Sequence, residues 1–276
     1  METNQKAILL TGGSAGIGLE TAKMLMDRGY KVYSGSRRGG GEALKSSVST
    51  GEIIPLALDV NDEEILKKAV EKIVSENGSL YAVVSNAGNG IAGAVEDTSS
   101  EETKYQLETN FFGAVKTIKA CLPQFRKQNF GKIITVTSVA AVIPIPFQAF
   151  YSSGKAALQI YMEALAMEVK PFGIQCCTIL PGDTKTDFTA SRKYTVESEN
   201  QNSPYYKRMK TAVGKMEKDE QNGMSPSVIA KAIVNQVDRN KMKPRVVPGF
   251  QYKAICAVSD LLPNSLRLKL INMVYS

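Results

Sequence analysis

Lys6 to Met26, KAILLTGGSAGIGLETAKMLM, is the stretch that decides the fold. Lys6–Thr11 is an apolar run of strand length. Thr11-Gly12-Gly13-Ser14-Ala15-Gly16-Ile17-Gly18 is a glycine loop, and a helical period follows through Met26. Glycines in such a loop let the backbone turn tightly and let a pyrophosphate approach main-chain N–H groups at a helix N-terminus. The spacing differs from G-x-G-x-x-G, and glycine-rich strand–helix turns also occur without a ligand.

The same alternation repeats along the chain. Apolar runs occur at 31–36 (KVYSGS), 53–60 (IIPLALDV), 80–85 (LYAVVS), 132–138 (KIITVTS), 174–180 (IQCCTIL) and 245–248 (RVVP). Helical stretches lie at 62–75, 101–128, 153–169 and 226–239, and Ser99-Ser100-Glu101-Glu102 reads as a capping box. Gly39-Gly40-Gly41 reads as a flexible connection between the second strand and its helix. Seven apolar strands separated by helices predict an α/β fold, a doubly wound, Rossmann-type seven-stranded parallel sheet. Ligands then bind at the carboxyl ends of the strands. Pro55 weakens the third run as a central strand.

A single domain is expected over residues 1–250, with a polar helical lid at about 184–225 and a C-terminal helical extension at 251–276.

Composition narrows the chemistry. The chain has 276 residues, 43% hydrophobic and 22% charged, enough for a sizeable core in a globular protein. Its net charge of +7 suits an anionic cofactor, an acidic lipid surface or simply a solvated surface. No basic tract with interleaved aromatics appears, which argues against nucleic acid as a partner. There is no histidine, so Ser-His-Asp hydrolysis and His-based metal sites are excluded. No metal site is expected.

Cys121, Cys176, Cys177 and Cys256 match no metal-binding spacing. They read as reduced packing residues, with adjacent Cys176 and Cys177 on opposite faces of a strand. That favours a cytoplasmic setting. The N-terminal Met1–Lys6 lacks a signal-peptide layout, and the apolar 133–150 stretch is interrupted by Pro144 and Pro146.

The second strand ends in Ser34-Gly35-Ser36-Arg37-Arg38, with no acid before Glu42. A carboxylate there would accept the ribose hydroxyls of NAD, whereas a basic residue accommodates the 2′-phosphate of NADP. NADP(H) is the expected cofactor; plain surface arginines are the alternative.

Tyr151-Ser152-Ser153-Gly154-Lys155 places a phenol and an ammonium on one face of a helix, roughly 6 Å apart along its axis at about 1.5 Å per residue. A cation at ~4 Å with an effective dielectric of ~20 contributes about 4 kcal/mol, lowering the tyrosine pKa by roughly three units before burial opposes it. Ser138 ends an apolar strand upstream, where its hydroxyl can meet a carbonyl oxygen.

Together these motifs resemble the short-chain dehydrogenase/reductase family from Lys6 to about Gly249. They run in the family's order: Thr11-Gly12-x-x-x-Gly16-x-Gly18, Asn86-Ala87-Gly88, Asn110, Ser138, Tyr151-x-x-x-Lys155 and Pro181-Gly182-x-x-x-Thr186. The resemblance implies Tyr151 as acid/base, Ser138 as orienting hydroxyl, Lys155 as tuner and ribose ligand, and Asn110 as holder of a linking water. It implies cofactor contacts from Gly12, Ser14, Gly16, Ile17, Gly18, Ser36, Arg37, Arg38, Asp59, Val60, Asn86, Ala87, Gly88, Pro181, Gly182, Thr184 and Thr186. Ala15 stands where some NADP-preferring members carry a basic residue, which leaves that preference to Arg37 and Arg38. A homodimer or homotetramer is implied too.

Substrate choice is expected in the lid and tail. Phe188, Tyr194, Tyr205, Tyr206, Met209 and Met216 either wall an apolar pocket or anchor the lid. Val139, Ala140, Val142, Ile143, Pro144, Ile145 and Phe147 add an apolar loop.

The tail is similar to those of 17β-hydroxysteroid and retinol dehydrogenase-like members. Its leucines and isoleucines, with Arg267 and Lys269, either pack on the protein, the favoured reading, or rest on a membrane surface. The expected activity is NADP(H)-dependent interconversion of a secondary alcohol and a ketone on a bulky apolar, steroid-like small molecule. The alternatives are a carbonyl or 3-oxoacyl-carrier reductase and a non-enzymatic NADP-binding scaffold.

Overall fold

The computed structural model describes residues 5–39 and 42–275. Met1–Asn4, Gly40, Gly41 and Ser276 lie outside the described residues.

The strands are β1 (Ala7–Thr11), β2 (Lys31–Ser36), β3 (Leu44–Lys45), β4 (Glu52–Ala57), β5 (Ala82–Ser85), β6 (Ile91–Ala92), β7 (Gly131–Val136), β8 (Ile174–Ile179), β9 (Lys193–Tyr194) and β10 (Arg245–Val246). The helices are α1 (Gly16–Asp27), α2 (Glu63–Asn77), α3 (Ser100–Leu107), α4 (Ala114–Gln128), α5 (Ala149–Val169), α6 (Phe188–Ser191), α7 (Tyr206–Gln221), α8 (Pro226–Asp238), α9 (Phe250–Leu261) and α10 (Asn264–Tyr275).

The main sheet runs β10-β8-β7-β5-β1-β2-β4-β3. The seven expected strands are parallel to one another, and strand order reverses between β1 and β5. That reversal opens a crevice at their carboxyl ends.

Side chains alternate across this sheet as the pleat requires. Leu9, Tyr33, Val83, Ile133 and Cys176 enter the core beneath α2, α4 and α5. Ile8, Leu10, Val32, Val84, Ile134 and Cys177 enter the core beneath α1 and α8. All four cysteines are free and buried, and Cys176 and Cys177 face opposite ways as expected.

Three expectations are corrected. The sheet has an eighth strand, β3, antiparallel to β4 at the edge. Among the described residues no helix joins β2 to β4. Instead Ser46 and Ser49 bond Asp27 and Met26, and their hydroxyls accept from the N–H groups of Val48 and Gly51. Such side chain–backbone bonds compete with helix formation. Third, the 101–128 stretch is not one helix: a π turn at Glu108–Gly113 separates α3 from α4.

Pro55 sits comfortably in β4. Glu52 N donates to the carbonyl oxygen of Tyr30, just before β2, and Leu58 N to that of Ser36, so by alternation the nitrogen of Pro55 faces the outer edge. β3 reaches only Glu52 and Ile53, and the missing donor leaves no gap. The capping box forms, with the Ser99 hydroxyl accepting from Glu102 N and the Glu102 carboxylate from Ser99 N.

The lid is fastened to the body by a second, two-stranded parallel sheet, β6 with β9. Met209 and Val213 of α7 pack there on Ala92, beside Phe147 and Tyr194. Among the described residues no helix is long and apolar enough to cross a membrane.

Candidate active site

One cavity of about 880 Å³ occupies the crevice at the switch point. Its first half is built by the glycine loop. Gly12 has φ +69° and Gly16 φ +52°, left-handed values that favour glycine. A Cβ on Gly12 would sit 2.9 Å from the Ala87 Cα, and one on Gly18 2.0 Å from the Gly12 carbonyl oxygen.

Thr11 and Asn86 lock this loop to the end of β5. Thr11 Oγ1 accepts from Asn86 N and Ala87 N at 3.1 and 3.2 Å, and Asn86 Nδ2 donates to the Gly12 carbonyl oxygen at 3.1 Å. Ala15, the residue before α1, supplies no side-chain cap. The first N–H groups of α1 therefore have no side-chain acceptor, which suits an anionic diphosphate.

Gly12, Ser14, Gly16, Ile17, Gly18, Ser36, Arg37, Asp59, Val60, Asn86, Ala87 and Gly88 all line the cavity. Arg38 does not. The Asp59 carboxylate accepts from Asn61 N at 3.0 Å. Pro181, Gly182, Thr184 and Thr186 line the same cavity, with Thr186 close against Gly16.

The second half holds the chemistry. Ser138, Tyr151 and Lys155 line the same cavity. Ser138 follows β7 and accepts from Ala140 N at 3.1 Å. Lys155 is buried, and its Nζ donates to the Val136 carbonyl oxygen at 3.0 Å. Asn110 lies outside the cavity lining, in the π turn. Its Nδ2 donates to the carbonyl oxygens of Asn89 and Gln106 at 2.7 and 3.2 Å. Gly88 separates it from Lys155: a Cβ there would lie 2.7 Å from Asn110 Oδ1 and 3.6 Å from Lys155 Nζ.

The electrostatics differ from the expectation. Burial pushes the Tyr151 phenol up to about 12, partly offset by its hydrogen bond with Ser138; Glu220 adds to the rise and Arg192 opposes it. Burial also pulls the Lys155 ammonium down to about 8. The lysine sits 5.8 Å from the tyrosine ring centroid and is held toward Val136. Desolvation of both groups outweighs their attraction. The result is a phenol that keeps its proton at neutral pH.

Several residues here carried no sequence signal. Gln148 lines the cavity one turn before Tyr151. Arg192, buried, donates to Glu220 and, with the Gln148 amide suitably turned, to the Gln148 oxygen at 2.9 Å. Thr189 adds a bond to Glu220 at 2.6 Å. The Tyr252 hydroxyl donates to Asp183 at 2.8 Å, and its ring lies where a Gly182 Cβ would be. Only the positive charge of Arg192 and the size of Tyr252 are visible in sequence; their partners are distant along it.

The lid aromatics divide. Phe188 lines the cavity, its ring centroid 5.8 Å from that of Tyr151. Met209 and Met216 are buried within the lid, while Tyr194 and Tyr205 bond Glu217 and Glu96. Those four anchor the lid. In the preceding loop Val139, Ala140, Ile143 and Ile145 line the cavity. Of the tail, α9 and α10 wall the outer cavity with Ile255, Val258, Leu270, Ile271 and Val274, while Phe250, Leu261, Leu266, Leu268 and Met273 stay exposed.

A glycine loop at the switch point, opposite a phenol and an ammonium, defines a dinucleotide-type oxidoreductase site. The short chain dehydrogenase family model matches residues 6–197. The chain is 39% identical over 270 residues to the 3-ketodihydrosphingosine reductase of Bacteroides thetaiotaomicron, covering 98% of this chain and 97% of that one. It is 32% identical to the probable short-chain type dehydrogenase/reductase VdlC of Helicobacter pylori, over 93% of each chain. The crystal structure of a short-chain dehydrogenase from Streptomyces avermitilis superposes with a TM-score of 0.76 at 26% identity, covering 97% of this chain and 95% of that one. The chain belongs to the short-chain dehydrogenase/reductase family of oxidoreductases.

Proposed function

We propose that this protein is an NADPH-dependent reductase that converts a ketone on a long-chain, apolar lipid to the secondary alcohol. The observation that carries the reading is the continuity of the cavity. Ser138 and Tyr151 line the same space as the aliphatic side chains of α9 and α10. A polar carbonyl end and a long apolar remainder fit that division. The 39% identity to a 3-ketodihydrosphingosine reductase favours a long-chain keto lipid over the steroid-like ketone expected from sequence.

The residues act as follows. The Tyr151 hydroxyl, protonated at neutral pH, donates to the carbonyl oxygen and gives up its proton as that oxygen gains charge. The Ser138 hydroxyl is a second donor to the same oxygen. Lys155 holds ribose hydroxyls and stabilises the tyrosinate as it forms. Arg37, at the end of a strand without a carboxylate, pairs with the 2′-phosphate. The chemistry supplied by the bound dinucleotide is hydride transfer.

We assign the 251–276 extension to the same catalytic unit as residues 1–250, because α9 and α10 form part of the cavity wall. A homodimer through α5 fits Ile160 and Met167, which share one exposed face of that helix. The test is NADPH oxidation across 3-keto long-chain bases, 3-oxosteroids and short diketones. Turnover confined to the short diketones, or the same rate with NADH as with NADPH, would refute the proposal.

A further inference from the structure

The exposed apolar side chains of this protein are concentrated on its last two helices. Phe250, Ala254, Ala257, Val258 and Leu261 recur along α9 at i, i+4, i+7, i+8 and i+11, all exposed. Leu266, Leu270, Met273 and Val274 repeat the pattern along α10, also exposed. This spacing puts each set on one helix face. Phe250 is 87% exposed, Leu261 85% and Met273 67%, values that no packing within this chain accounts for. Contiguous apolar faces of this kind mark an interaction surface.

Two further observations identify what covers it. Val258, Leu270 and Val274 belong both to the exposed stripe and to the cavity wall, so the apolar surface runs without a break from outside toward Tyr151. A second protein copy seated on the stripe would cover the mouth. A fluid apolar phase would leave it open. The charges agree: from Phe250 to Tyr275 the basic residues are Lys253, Arg267 and Lys269. The single acid in that span, Asp260, is paired with Arg245. Lys253 and Lys269 flank the stripes on the side away from the cavity, where long basic side chains reach lipid headgroups while their stems stay apolar.

We propose that α9 and α10 together dock this protein on an anionic lipid surface, with the cavity mouth facing the acyl layer. The two helices lie in the interface plane and span nothing. Substrate then passes between α9 and α10 without crossing water.

The full chain is sedimented with phosphatidylcholine vesicles and with vesicles that also contain phosphatidylglycerol. Binding is expected to the second kind, weakening as salt is added. Phe250→Ser/Leu261→Ser/Met273→Ser changes only residues outside the cavity lining and is expected to lower the bound fraction at least about tenfold. Lys253→Glu/Lys269→Glu is expected to abolish the preference for phosphatidylglycerol. In both variants reduction of a water-soluble ketone stays at the parent rate, a check that they fold. Failure of the parent chain to bind either vesicle, or equal binding by the serine variant, overturns the proposal. So does a parent dimer that becomes monomeric in the serine variant, which would assign the face to a second copy. The vesicle measurement uses no substrate, so it stands or falls separately from the reductase reading.

Discussion

The ammonium of Lys155 donates a 3.0 Å hydrogen bond to the carbonyl oxygen of Val136, tying the middle of the site to the last residue of β7. Burial lowers this lysine from its ordinary 10.5 to about 8. Below about pH 8 it is protonated in both folded and unfolded chains, and the folded state carries the full cost of enclosing the charge. Between about 8 and 10.5 the folded chain sheds a proton that the unfolded chain keeps, and that cost disappears. Lys155→Met should therefore be more stable than the parent by about 3 kcal/mol at neutral pH, and inactive. Urea unfolding should show the advantage fading as pH rises through that window. A difference that does not change with pH would contradict the assignment.

Tyr151→Phe removes the proton donor and leaves the ring against Phe188. Turnover should fall roughly 10²–10⁴-fold, while dinucleotide binding, followed by fluorescence titration, stays at the parent value. Parent-like turnover would remove Tyr151 from the mechanism.

Arg37→Asp replaces the cation at the end of β2 with the carboxylate that would serve NAD. The charge-assisted bond it deletes corresponds to about 10–100-fold in kcat/KM for NADPH, and NADH should improve. An unchanged ratio of the two cofactors would show that Arg37 is surface charge.

Gly88→Ala places a methyl 2.7 Å from Asn110 Oδ1 and 3.6 Å from Lys155 Nζ. Something must shift, and displacement of a proton-handling group is expected to lower kcat roughly 10–100-fold. Thermal unfolding should change less than kcat does. Full activity would mean that Asn110 and Lys155 need no fixed spacing.

Arg192→Met strands the carboxylate of Glu220 inside the lid. A cost of about 3–5 kcal/mol is expected, seen as faster proteolysis between residues 184 and 225 and a higher KM for a bulky ketone. Adding Glu220→Met should restore most of the protection, because the pair then leaves no orphaned charge. If the double variant is cleaved as fast as the single one, the network is not what holds the lid.

Much of this was readable in advance because it is local. The seven parallel strands announce themselves as short apolar runs, and the glycine loop, Ser138 and the Tyr151–Lys155 step each lie within a few residues on one element. What escaped the reading depends on contacts between distant segments. Leu44–Lys45 becomes a strand only because Ile53 and Glu52 are beside it. The break in 101–128 coincides with Asn110 bonding back to Asn89, which no helical period reveals. Arg192 looks like any surface arginine until Glu220 and Gln148 surround it. The direction of the Tyr151 shift escaped for the same reason, since enclosure by remote elements outweighs a neighbour four residues away.

The small sheet of β6 and β9 bears on how the site breathes. Lys193 N donates to the Gly90 carbonyl oxygen at 2.9 Å and Thr195 N to that of Ala92 at 3.0 Å. The root of the lid is thus stitched to the same segment that carries Asn86 and Gly88. A flap hinged there would have to tear backbone bonds to swing. If the proposed long-chain substrate enters past α9 and α10, it threads in end-on rather than being closed over from above.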